Sequence, residues 1–89
     1  MIRANEHQKP FVKLYNEDHL QDWYLGYSTH FECYVGWSDL DGPGRYKRMD
    51  TIEELRNLYK WFIGKDYKVM KVYQDNIDNH KSDRRYVGT

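Results

Sequence analysis

Asn16-Glu17-Asp18-His19-Leu20-Gln21-Asp22-Trp23-Tyr24-Leu25-Gly26-Tyr27 is the stretch on which the fold turns. Leu20, Trp23, Tyr24 and Tyr27 fall at i, i+3, i+4 and i+7, the spacing that gathers side chains on one face of a helix. Asn16 stands where an N-cap belongs, and Glu17 and Asp18 place negative charge where the first turn's dipole favours it. Gly26 offers a stop. The pattern predicts a short helix here.

Working outward, Phe11-Val12-Lys13-Leu14-Tyr15 reads as a strand, with Pro10 tolerated at its start. His30 to Trp37 alternates with period two, Phe31, Cys33, Val35 and Trp37 against His30, Glu32, Tyr34 and Gly36. Ser38-Asp39-Leu40-Asp41-Gly42-Pro43-Gly44 is dense in turn formers, and Arg45 to Met49 returns as a polar strand. Asp50 to Gly64 carries the clearest helix signals. Thr51 as N-cap and Glu54 three residues on form a capping box, and Gly64 stands where a C′ glycine would end the helix. Tyr67 to Tyr73 is the last strand.

The order strand, helix, strand, strand, helix, strand is that of an α+β ferredoxin-like β-α-β-β-α-β sandwich, two helices covering one face of a sheet. Without the first helix the chain reduces to a β-β-α-β unit of the same class. Residues 1–9 read as a loose arm, 10–74 as one domain and 75–89 as a flexible, mixed-charge tail.

Within the second helix, Ile52, Leu55, Leu58, Tyr59, Phe62 and Ile63 form one apolar stripe at about 100° per residue. Trp61 falls opposite it, among Glu53, Glu54 and Asn57. A large ring on a solvated face is costly and is typical of binding anchors. It also has a plainer reading, in which neighbouring Lys or Arg stems, or the tail through Ile77, Tyr86 and Val87, cover it.

If Phe31, Cys33, Val35 and Trp37 face the helices beside Val12, Leu14, Met70 and Val72, the other face carries Phe11, Lys13, Tyr15, Tyr34, Tyr46, Arg48, Lys71 and Tyr73. Rings interleaved with cations can grip a protein, stack nucleobases or pair with a second copy. They also serve simply as cross-strand pairs of an ordinary exposed sheet.

Composition narrows the classes. The 89 residues suit one core, and 17% aromatic content, with nine tyrosines, must supply much of the burial in a chain that is 31% charged. Fourteen basic and fourteen acidic residues leave no net charge to draw nucleic acid or an anionic membrane. A single cysteine, no membrane-length apolar run and no export signal fit a reducing cytosol. Pro10-Phe11-Val12-Lys13 bears a faint likeness to the first strand of RNA-recognition domains. Gly44-Arg45-Tyr46-Lys47-Arg48-Met49 lacks the several aromatics of their third strand, so the likeness stops there.

Catalytic and metal chemistry find little footing. His30 and Cys33, with His19, fall short of four zinc ligands, and an inward Cys33 reads as an inert core side chain. The 39–44 loop lacks the further carboxylates of a calcium site, and Glu53 and Glu54 suit a first helical turn. No nucleophile, base and orienter come together, and no cofactor motif is present. The expectation is a non-enzymatic cytoplasmic binding protein, without metal or cofactor, that covers a site on a protein partner. Trp61, Asn57, Tyr34, Tyr46 and Tyr73 would be its contacts, with Arg48 and Lys71 at the rim. In style such a chain is similar to the small accessory proteins with which phages and mobile elements inhibit host factors. The alternatives are a single-stranded nucleic-acid binder using the open sheet face and a homodimer.

Overall fold

Four strands follow one another as an antiparallel meander before the first helix appears, in a computed structural model that describes residues 7–38 and 45–82. The elements are β1 Gln8–Asn16, β2 Gln21–Ser28, β3 Cys33–Ser38, β4 Tyr46–Met49, α1 Ile52–Gly64, β5 Lys68–Val72 and α2 Gln74–Ser82. The sheet order is β4-β3-β2-β1-β5, and every pairing is antiparallel. The protein is therefore α+β, but its strand order differs from the ferredoxin-like arrangement. The β-β-α-β run of β3, β4, α1 and β5 is present, embedded in a larger sheet.

The difference starts at Asn16. Its Oδ1 accepts from the His19 N–H at 3.1 Å, the bond an N-cap makes, but Leu20 takes a left-handed φ of 48° and the turn ends there. Gln21, Trp23, Leu25 and Tyr27 then alternate onto one face of β2 and Asp22, Tyr24, Gly26 and Ser28 onto the other. The predicted first helix is thus a strand. Residues 17–20 form a tight hairpin connection, far too short for the crossover that parallel strands need.

Burial follows the register. Tyr27, Tyr34 and Met49 pair across β2, β3 and β4, and Val12, Leu25 and Gly36 across β1, β2 and β3, so all six positions share the face toward the helices. The core there comprises Phe11, Leu14, Leu25, Tyr27, Met49, Leu55, Phe62 and Tyr67. Each such side chain contributes about 1.5–3 kcal/mol by leaving water. Cys33, Val35 and Trp37 lie on the opposite face, so the predicted facing of β3 is reversed. Phe31 stands in the β2–β3 turn and is exposed.

The N-cap of α1 is Thr51, whose hydroxyl accepts from Glu54 N at 3.2 Å, while the Glu54 carboxylate reaches back to Asp50 N at 2.8 Å. Leu55 and Phe62 are buried, Leu58 and Tyr59 half-buried, and Ile52 and Ile63 exposed at the margins of the stripe. Gly64 is the last helical residue, and the left-handed position after the helix belongs to Asp66, at φ 67°. Asn16 Nδ2 donates to Lys65 O at 3.0 Å and ties this end to the β1–β2 turn.

The region read as a tail holds α2. Asn76 Nδ2 donates to Pro10 O at 2.9 Å, Ile77 packs on the core, and the His80 ring sits 5.4 Å from Phe11 and 4.9 Å from Tyr27. These anchors are mostly polar and aromatic, so no apolar period announces them. At the other end, Gln8 and Lys9, read as part of the arm, belong to β1, and Gln8 is buried. Residues 1–6 and 83–89 of the predicted arm and tail, and the 39–44 part of the predicted turn, lie outside the described residues.

Candidate functional site

Two surfaces gather the residues singled out from the sequence. The first is a groove of about 480 Å³ between β4 and α1, lined by Lys47, Arg48, Met49, Glu54, Asn57, Leu58 and Trp61. Thr51 capping sets the start of α1, which turns Leu55 and Phe62 inward and leaves Asn57 and Trp61 on the outer side. Trp61 is 55% exposed. Its ring meets Phe62 edge-on at 5.2 Å, and the Lys65 ammonium lies 5.7 Å from its centre. Met49 and Leu58 give the groove an apolar floor, with Lys47 along its strand side and Arg48 at its rim, the guanidinium turned to the other face of the sheet. Trp61, Asn57 and Arg48, distant in sequence, thus share one concavity.

Because Trp61 packs on so little, Trp61→Ala is expected to change stability by no more than about 0.5 kcal/mol, as surface substitutions do. Thermal denaturation checks this, and a fall of several degrees would mean that the ring is a structural contact.

The second surface is the sheet face turned away from the helices. Lys71, Lys13, Tyr24, Trp37 and Tyr46 form one cross-strand row over all five strands. Tyr24 and Trp37 stack with centroids 5.3 Å apart and planes 12° from parallel. Lys13 lies 5.5 Å from the Tyr24 ring and pairs with Asp22 at 3.4 Å. The Arg48 guanidinium covers Phe31 at 3.6 Å, and Lys71 lies 4.7 Å from the Tyr73 ring. Tyr46, Arg48 and Lys71 stand on the predicted face.

Tyr34 does not. It faces the helices, its hydroxyl 3.1 Å from His80 Nε2 and its ring edge-on to Tyr27 at 5.3 Å. An odd one-residue change of facing moves every side chain of a strand across the sheet, which is why Tyr34 left this surface and Trp37 joined it. Tyr24 was missed because β2 was read as a helix, although the alternation of Gln21, Trp23, Leu25 and Tyr27 was available as the competing signal. Cys33, predicted to face the core, is half-buried on this same outer face opposite Ser28.

Between the two surfaces lies a polar knot. With its amide oriented to satisfy its neighbours, Gln21 donates to Tyr67 Oη at 2.8 Å and accepts from Trp23 Nε1 at 3.1 Å and Arg45 Nη1 at 2.5 Å. Arg45, just ahead of β4, is thereby tied to the start of β2 across β3, which takes it out of the cations available to a partner.

Burial holds the phenols of Tyr34 and Tyr67 above their usual range, opposed by Arg56 in the first case and by Arg45 and Trp23 in the second. The Lys13 ammonium is also held high, first by hydrogen bonding to Tyr24 and then by Asp22. Groups with folded-state values above their unfolded ones stabilise fully below the unfolded value and lose that contribution as pH rises through the folded one. The melting temperature is therefore expected to fall once pH passes about 10, with a shallower fall in Tyr34→Phe. Melts at several values between about pH 8 and about pH 11 test this, and a flat profile would refute it.

Among the described residues, no cluster of three or more His, Cys, Asp or Glu side chains is placed to hold a metal, and no helix is long and apolar enough to cross a membrane. No protein-family model matches the chain, and neither a curated protein nor a solved structure does.

Proposed function

We propose that this chain is a non-catalytic binding protein that covers a site on a protein partner through the β4–α1 groove, with Trp61 as the buried anchor of the complex. The observation that carries the reading is the convergence of an exposed tryptophan, an apolar floor and Lys47 in one concavity beside a sheet edge, with the Arg48 guanidinium on the other face of that edge. Aromatic rings seated in a partner's surface supply the burial, and Lys47 and Arg48 set orientation and on-rate. Where the covered site is a working one, the result is inhibition by occlusion, the mode of small phage and mobile-element accessory proteins.

Capture from a cell lysate tests it. A protein retained after nuclease treatment and lost with Trp61→Ala supports the reading, and a protein retained equally by that variant overturns it.

The second reading, single-stranded nucleic-acid binding, is favoured by the Lys71–Lys13–Tyr24–Trp37–Tyr46 row, where rings able to stack bases adjoin cations. Its test residues are Tyr24, Trp37 and Tyr46. Tyr34 is unsuited, because truncating it disturbs the packing of α2. Nuclease-sensitive capture that is lost with Trp37→Ala would make this the leading reading.

A further inference from the structure

We infer that the groove takes an extended acidic segment of a partner, which adds as a sixth strand to the outer edge of β4. The inference rests on the groove being the partner site and names what occupies it.

The edge is open and its hydrogen-bonding phase is defined. β4 ends the sheet, and among the described residues no strand lies against its outer side. Ser38 N donates to Arg45 O at 2.9 Å, and the pairing from Trp37–Tyr46 to Tyr34–Met49 continues without a shift. In an antiparallel ladder, successive residues alternate between bonding their neighbour and turning outward. Arg45, Lys47 and Met49 therefore direct their main-chain groups to β3, while Tyr46 and Arg48 direct an N–H and a C=O each to the free edge. Four main-chain groups in extended register, beside a groove walled by a helix, are the parts that strand addition uses.

The side chains specify the occupant. An added strand would alternate its residues between the two faces. On the helix side they meet Met49, Leu58 and Trp61, which suits apolar groups. On the open side they meet Tyr46 and Arg48, and Lys47 stands on the helix side at the mouth of the groove, so an acidic segment finds a cation on each face of the edge. Glu54 is the one acid in the lining, and its carboxylate already accepts from Asp50 N.

The same charges argue against the other occupants. A second copy adding through its own β4 would set Lys47 and Arg48 against their counterparts, and like charges facing each other are unfavourable. The chain's final residues, Asp83-Arg84-Arg85-Tyr86-Val87-Gly88-Thr89, bring two arginines and one aspartate to a cationic edge. The opposite edge, β5, has exposed Val69, Met70 and Val72, but Lys68, Lys71 and a bulge at Met70 blunt it for pairing.

The test is a titration of the full chain, followed by amide and indole NMR shifts, with a capped heptapeptide alternating valine and glutamate. Two further peptides serve as comparisons, one with lysine for glutamate and one N-methylated at alternate backbone nitrogens. Expected are shifts at Tyr46, Arg48 and the Trp61 indole with the glutamate peptide, and binding at least tenfold weaker with either comparison peptide. A Lys47→Glu, Arg48→Glu double variant should reverse the charge preference. Equal binding of the N-methylated peptide, or no binding of the glutamate peptide, overturns strand addition. If Trp61→Ala still abolishes partner capture in that case, the groove reading stands and only the mode fails. The inference is equally overturned by contacts from Tyr86 or Val87 to the Trp61 indole in the free chain, by a dimer that protects the β4 amides, or by an oligothymidylate that shifts the same groove signals.

Discussion

Gly26→Ala is expected to cost the fold about 3 kcal/mol or more, the upper range for forcing extra volume into a packed site. The β1–β2 register shifts between Pro10 and Val12, and Phe11 is the extra residue of that bulge. The bulge brings the first strand down onto Gly26. A Cβ there would overlap the Lys9 carbonyl oxygen and lie 2.6 Å from Pro10 Cα and 2.9 Å from Lys9 C. All three are main-chain atoms, so no rotamer change relieves the clash, and β1 must lift from β2. Lifting it also unseats Phe11, which helps to form the bed for α2. At roughly 4–8 °C per kcal/mol for a domain of this size, the melting temperature should fall by more than about 10 °C. Gly36→Ala is the contrast. Its Cβ would press on the ends of Leu25 and Leu58, at 3.1 and 3.2 Å, and would meet the Tyr24 carbonyl oxygen at an ordinary 3.7 Å, so about 1 kcal/mol is expected. Comparable melting temperatures for the two variants would show that the bulge yields more readily than its geometry implies.

Phe62→Ala carries the second large effect, about 3–5 kcal/mol. Phe62 is 3% exposed and packs at 5.2 Å from Trp23 and 4.9 Å from Tyr67, so its ring joins α1 to β2 and to the approach to β5. Removing it leaves a cavity that the Gln21–Tyr67–Arg45 hydrogen bonds hinder from collapsing. Urea denaturation of Phe62→Ala beside Trp61→Ala makes the comparison sharp, because neighbours on one helix separate into core and surface. Equal losses would contradict the facing of α1, and with it the proposed anchor.

The groove residues illustrate how far local pattern reaches. Trp61 and Asn57 were legible because α1 has its own cap and its own 3.6-residue period, both written within fifteen residues. That Arg48 joins them was not, because it depends on which strand ends the sheet. The open face was legible as a kind of surface, rings among cations, but only partly as a set of residues. Tyr46, Arg48 and Lys71 stand on it, while Tyr34 faces His80 and its place is taken by Tyr24 and Trp37. The α2 helix was hidden for a different reason. His80 and Asn76 hold it by ring packing and by a bond to the Pro10 carbonyl, neither of which leaves a periodic trace.

By itself the sequence determined the α+β class, the position and facing of α1 and four strand locations, β1, β3, β4 and β5, because caps, periods and turn residues act over a few neighbours. Tertiary structure alone decided that Asn16 opens a single turn before a strand, which face of β3 looks inward, and that β5 returns to pair with β1. Each of those choices compares two local conformations of similar energy, and the difference comes from burying Leu14, Leu25, Tyr27 and Met49 together under α1.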